Sequence, residues 1–357
     1  MTLGGLVKQH SDTIKGILVL LVVMDHNDWL RAATPELFRP LTFHVLGFFF
    51  LAFAFAEKRL SVKFALDRAC RYLVPFWWML LLTSLIYSFV LAKGITPMSQ
   101  ILAVAAAAII GNAPFVKASS GLLMLWFLPA LLGLNLLIAA YDEVNKSAVR
   151  WLLAVAAFAV HLMLPLLNVA QLMWLPLGLG IALEVFVLGL AWRYALTMRL
   201  TASGWLLVAA LWAGSYAILV AQHVNVEIAT LDVYGITHPQ TMVLQDLEGF
   251  LGVAMVIWLA QYLSGINLLK AIGRRSMLVY LIHPLVYQAS NVVLPPNRLE
   301  DPNWLTLCVG GAVTGVAATV IAYWLAVGIE QSPTLSSWLT PRYFSDWPPV
   351  RQALLRN

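Results

Sequence analysis

Long apolar runs separated by short polar stretches set the pattern of this chain from end to end. A run of roughly 18 or more such residues crosses about 30 Å of hydrocarbon when it is helical. On that criterion the pattern predicts membrane spans near 14–30, 41–56, 72–92, 122–141, 151–167, 171–191, 203–223, 244–263, 276–294 and 304–329. Runs this continuous lack the alternation of a membrane β-barrel strand, so helices are the predicted spanning element. One stretch is different. "ILAVAAAAIIGNAP", residues 101–114, stays apolar for only about ten residues before Gly111, Asn112 and Pro114, which predicts a short segment that does not cross the membrane.

The fold class that follows is all-α: a polytopic membrane protein of about ten transmembrane helices. Composition agrees, because 61% of the 357 residues are hydrophobic and 11% are charged, whereas soluble domains carry about a quarter charged residues. Charge then gives sidedness. If 101–114 does not cross, both termini and the loops around "EKRLSVKFALDRACR", "YDEVNKSAVR", "WRYALTMRL" and "LKAIGRR" share one side, which holds 17 of the 22 Lys and Arg residues. The positive-inside rule makes that side cytosolic. Arg31, Arg39, Lys93, Lys117 and Arg298 are left on the other side. The net charge of +5 therefore reflects topology and does not point to nucleic acid.

No cleavage pattern follows the first run, which reads as retained. Cys70 and Cys308 are the only cysteines, too few and too far apart in the topology for a disulfide framework. No repeat or low-complexity region divides the chain. Residues 1–331 read as one membrane domain and 332–357 as a cytosolic or interfacial tail.

The candidate chemistry begins with "IKGILVLLVVMDHNDW", residues 14–29. Eleven helical steps separate Lys15 from His26, which returns them to within about 20° of one face and sets them about 16 Å apart along the axis. Lys15 alone reads as an interfacial anchor. His26 is deep in the membrane, where ionisable groups are expensive and face a bundle interior or a wet cavity. Asp25 and Asp28 flank it off its face and are placed to orient a neighbour. At the cytosolic start of the third span, "DRACRYLVP" sets Arg68 and Arg71 one turn apart, where two guanidiniums can grip phosphate oxygens or simply anchor the loop. Together these residues suggest a ligand with a phosphorylated head in the cytosol and a reactive end within the membrane.

The same residues carry a resemblance. "SDTIKGILVLLVVMDH" resembles the opening of the acyltransferase family 3 membrane proteins, in particular the fucose 4-O-acetylase-like branch, through Asp12, Lys15, Gly16, Ile17 and His26. Further pieces agree in order: "FHVLGFFFLAFAF" with His44, "DRACRYLVPF" with Arg68, Arg71 and Pro75, "LWFLPALL" with Trp126 and Pro129, and "GRRSMLVYLIHPLV" with Gly273, Ser276, Tyr280 and His283. The family more often has a small residue where Asp25 stands here.

The resemblance implies an enzyme of the bacterial inner membrane that moves an acetyl group from cytosolic acetyl-CoA to a hydroxyl of a carbohydrate acceptor. It implies His26 as the catalytic residue, as general base or through an acetyl-histidine relay, with Lys15, Arg68 and Arg71 as the candidates for CoA and no metal expected; Asp25, the departure from the family, either tunes His26 or marks a different acceptor. His44, Trp126 and His283 are candidates for the acceptor path, although a belt tryptophan and a packed histidine beside a proline fit the same positions. Glu184, His161 and Asn112 lie at membrane depth with no assigned role. Composition also permits a transporter or flippase that uses His26, Asp25 and Glu184 as a proton path.

Overall fold

The computed structural model describes residues 1–34, 43–55, 60–87, 97–120, 124–163, 176–222, 239–293 and 303–354. Every regular element among them is helical, as backbone groups in hydrocarbon require. In chain order the helices are α1 (Leu3–Asp25), α2 (Asp28–Ala33), α3 (Phe43–Ala54), α4 (Val62–Ile86), α5 (Pro97–Ile110), α6 (Ala113–Ser120), α7 (Phe127–Glu143) and α8 (Ser147–Met163). They continue with α9 (Leu179–Ala195), α10 (Ala202–Ala221), α11 (Pro239–Leu263), α12 (Asn267–Arg274), α13 (Ser276–Val293), α14 (Trp304–Gln331), α15 (Pro333–Leu339) and α16 (Pro348–Leu354).

Among the described residues, four helices are long and apolar enough to cross a bilayer: α4, α10, the Val243–Leu263 part of α11, and α14. Phe43–Ala54, Met98–Ile110, Ser147–Ala159 and Val185–Ala195 are shorter apolar helices. Arg39, Lys58, Arg59, Lys93, Arg298 and Arg356, with the ends of several predicted spans (41–42, 88–92, 164–167, 171–175), lie outside the described residues. The stretch expected not to cross forms α5, whose 14 residues reach only about 21 Å. It stops at Gly111, which takes the left-handed φ of 64° that favours glycine. Asn112 then accepts from the Phe115 amide (3.1 Å) and caps α6.

The first predicted span, 14–30, is not one helix. α1 begins at Leu3 because the amides of its first turn have acceptors: the Thr2 hydroxyl takes Gly5 N (3.2 Å), and the carbonyls of Met198 and Leu196 take Leu3 N and Gly4 N (2.9 Å each). At the other end His26 is the C-cap, and Asn27 restarts the chain as the N-cap of α2, accepting from the amides of Trp29 (3.0 Å) and Leu30 (3.3 Å).

The chain forms two compact units. In the first, Met1–Ala54 with Ala191–Gly328, α1 is packed by α3, α11, α12 and α13. The seam between α1 and α12 is the tightest. A Cβ on Gly16 would collide with the carbonyl oxygen of Leu269, and one on Gly273 with that of Asp12, so glycine lets the two backbones touch. In the second unit, Phe55–Leu190 with Ile329–Asn357, α4 packs against α5, α6 and α7. The tail lies along α4 in the same unit: Phe344 N donates to Asp67 Oδ1 (2.8 Å) and the Trp78 indole to the carbonyl of Trp338 (3.0 Å).

Candidate active site

Three side chains of the polar run that ends α1, those of Asp25, His26 and Asn27, each find a partner on a different helix. His26, half-buried at the C-cap, places Nδ1 3.2 Å from Nε2 of His283 on α13. The two rings stack with centroids 5.3 Å apart and planes 27° from parallel. His283 is fully buried, and its Nδ1 lies 3.1 Å from the carbonyl of Val279, one turn back on its own helix. Tyr280 and Tyr287 flank its ring, each with its centroid 6.0 Å away. The Tyr287 hydroxyl donates to the carbonyl of Val23 (2.8 Å) and so ties α13 to the last turn of α1.

On the other side of the run, Asn27 is buried with its amide fully used. While its oxygen caps α2, its Nδ2 donates to the carbonyl of Gly311 (2.8 Å) and to Thr314 Oγ1 (3.1 Å) on α14. Asp25, also buried, sits 3.3 Å from the Arg31 guanidinium and 3.5 Å from Nε2 of His44 on α3. Asp28 is exposed in the first turn of α2, where a negative charge favours the helix dipole.

The first unit thus brings His26 together with His283, and Asp25 with His44. Lys15 lies further back on α1, 30% exposed and paired with Asp12 (2.8 Å). Arg68, Arg71 and Trp126 belong to the second unit. Arg68 stands over the Phe64 ring at 5.1 Å, Arg71 is exposed, and Trp126 is buried edge-on to Phe127. His161 is buried, and the side chain of Glu184 lies outside the described residues.

Three residues escaped the sequence reading. Asn27 carried a signal, being an Asx residue directly before a helix start. Tyr287 carried one too, since Tyr280, His283 and Tyr287 recur at i, i+3 and i+7 on one helical face. Glu248 is fully buried on α11, accepting from the Trp212 indole (3.1 Å), and was hidden in a charged stretch that reads as a helix end.

A half-buried imidazole backed by a second imidazole can take a proton or an acyl group. The family model of acyltransferase family 3, described as an acyltransferase domain, matches residues 10–327. That range includes the described elements from the last residues before Lys15 to nearly the end of α14. No curated protein and no solved structure gives a match.

Proposed function

The chain belongs to acyltransferase family 3, and from that premise we propose that it carries an acetyl group from acetyl-CoA to a hydroxyl of a carbohydrate, with His26 as general base. It is a membrane acyltransferase; the transporter reading that composition allowed gives way to the family match over residues 10–327. The observation that carries the assignment to His26 is its place at the end of α1, where a histidine within the bundle holds its ring.

In this reading the acceptor hydroxyl gives its proton to the His26 imidazole as its oxygen attacks the thioester carbonyl. The tetrahedral intermediate collapses by breaking the carbon–sulfur bond, and the leaving thiolate takes the proton from the imidazolium. The products are the O-acetyl ester, CoA thiol and neutral histidine, so the base is restored each turnover. Arg68, Arg71 and Lys15 are the cations assigned to the CoA phosphates; guanidiniums one turn apart suit bidentate phosphate contacts. His44, held by Asp25 beside His26 in the chain, is the acceptor-side candidate. In this reading the protein works in the bacterial inner membrane, with its basic side facing cytosolic acetyl-CoA.

Purified protein given acetyl-labelled acetyl-CoA tests this. The wild type is expected to release or transfer the label, and His26→Ala to lose that activity while still retaining labelled CoA. Label turnover by His26→Ala at the wild-type rate would remove His26 from the chemistry, and a wild type that neither binds nor consumes acetyl-CoA would remove the donor.

A further inference from the structure

We propose that His283 is a positioning residue that fixes the tautomer of His26, so that Nε2 of His26 is the basic atom; the proposal rests on the reading of His26 as base. Pro284 lies inside α13 and has no amide hydrogen, so the carbonyl of Tyr280 loses its ordinary helical donor. The His283 ring turns back toward the same turn of the helix, where its Nδ1 lies 3.1 Å from the carbonyl of Val279. Carbonyl oxygens only accept, so Nδ1 of His283 carries the hydrogen.

A neutral ring protonated at Nδ1 has its lone pair at Nε2, and that atom is the one 3.2 Å from Nδ1 of His26. The hydrogen between them therefore belongs to His26 Nδ1, and the lone pair of the His26 ring is at Nε2. The opposite tautomer would set two lone pairs against each other at that distance. Protonation of Nε2 during the reaction leaves the Nδ1–H bond to His283 intact, so the imidazolium forms with no rearrangement of its support. His283 thus holds the catalytic ring as a carboxylate does in a hydrolase triad, without placing a charge in the bundle. Tyr287, bonded to Val23, and Asn27, bonded to Gly311, hold the two sides of this contact in register.

Two variants and one spectrum test it. His283→Leu keeps an apolar side chain in the buried site but removes the acceptor; kcat is expected to fall roughly 10²- to 10⁴-fold, the range for a histidine held in the wrong tautomer. KM for acetyl-CoA is expected to stay within about twofold, since the donor makes no contact with His283 in this proposal. His283→Gln returns an oxygen acceptor near the position of Nε2 and is expected to recover most of the loss. Nitrogen-15 NMR of histidine-labelled wild type, with the His26 signal identified by its disappearance in His26→Ala, is expected to show a protonated Nδ1 and an unprotonated Nε2.

A wild-type spectrum with the hydrogen on Nε2 of His26 overturns the proposal even if neither variant folds. Undiminished kcat in His283→Leu overturns it too. Activity surviving in His26→Ala is a separate result: it defeats the general base itself, whatever tautomer the spectrum shows.

Discussion

Replacing Gly16 with alanine adds one methyl group at the seam between α1 and α12. That Cβ would collide with the carbonyl oxygen of Leu269 and lie 2.9 Å from its Cδ1. A side-chain methyl can turn away, but a carbonyl moves only with its helix. α12 has little room to move, because a Cβ on Gly273 would meet the Asp12 carbonyl and lie 2.7 Å from Gly16 N on the same seam. Overpacking of this kind costs about 1–3 kcal/mol, and a backbone obstacle puts it near the upper figure. Alanine recovers about 1 kcal/mol of helix propensity, leaving a net loss of about 2 kcal/mol. A methyl group on Gly214 in α10 would meet nothing within 4 Å, so Gly214→Ala isolates the propensity gain of about 1 kcal/mol. At about 2 °C per kcal/mol for a chain of this size, the two variants are expected to melt about 6 °C apart when followed by tryptophan fluorescence in detergent. Turnover is expected to fall further than melting in Gly16→Ala, because α12 leads directly into α13 and displacing it draws His283 away from His26. Equal melting and equal turnover in the two variants would refute the claim that backbone contact at Gly16 sets the site.

Asn27→Ala leaves the Trp29 and Leu30 amides and the Gly311 carbonyl without their side-chain partner, at about 1–3 kcal/mol per unmatched buried group. A marked drop in melting temperature and turnover is expected, with Asn27→Ser intermediate because it keeps the cap but not the reach to α14; melting of Asn27→Ala within about 1 °C of wild type would show that the corner is held elsewhere. Arg71→Ala removes an exposed cation that stands 6.0 Å over the Tyr72 ring and is expected to raise KM for acetyl-CoA with little change in melting, while Arg68→Ala loses a closer contact with Phe64 at 5.1 Å and is expected to destabilise slightly. Lysine at either position is not expected to restore KM, since an ammonium lacks the planar fork; a KM insensitive to both arginines would remove the pair from donor binding.

What the sequence made legible was whatever repeats along one helix. Apolar runs gave the all-helical membrane class, the eleven-residue spacing gave Lys15 and His26 on one element, and Gly111 gave the end of α5. Gly16 and Gly273 stood out as part of a family resemblance, and the structure supplies their physical reason in the α1–α12 seam. The N-terminal turns of α1 were not legible, because residues before Ile14 are too polar to read as a span and are held by carbonyls at Leu196 and Met198, far along the chain. At the break between His26 and Asn27 the sequence offered only the Asx cap signal, and not the contact that fixes the corner. The Asn27 oxygen caps α2 locally, but its Nδ2 donates to Gly311, 284 residues away, and no local pattern encodes that contact.

The contact between His26 and His283 joins residues 257 positions apart, and no periodicity encodes such a pair. What the sequence did contain was the problem that the pair solves. Three of the four polar residues at the end of this apolar helix lose water when the bundle forms, and a buried polar group without a partner is destabilising by about 1–3 kcal/mol. Asp25 is satisfied by Arg31 and His44, Asn27 by α2 and α14, and His26 by α13, while Asp28 remains in solvent. Three of the four are satisfied only when α3, α13 and α14 are in their native positions, so correct assembly of the first unit and correct orientation of the proposed base are the same event. A misplaced helix would leave a polar group of this run unmatched before it left the enzyme inactive, which couples the fold to the chemistry at the residues the chain could least easily bury.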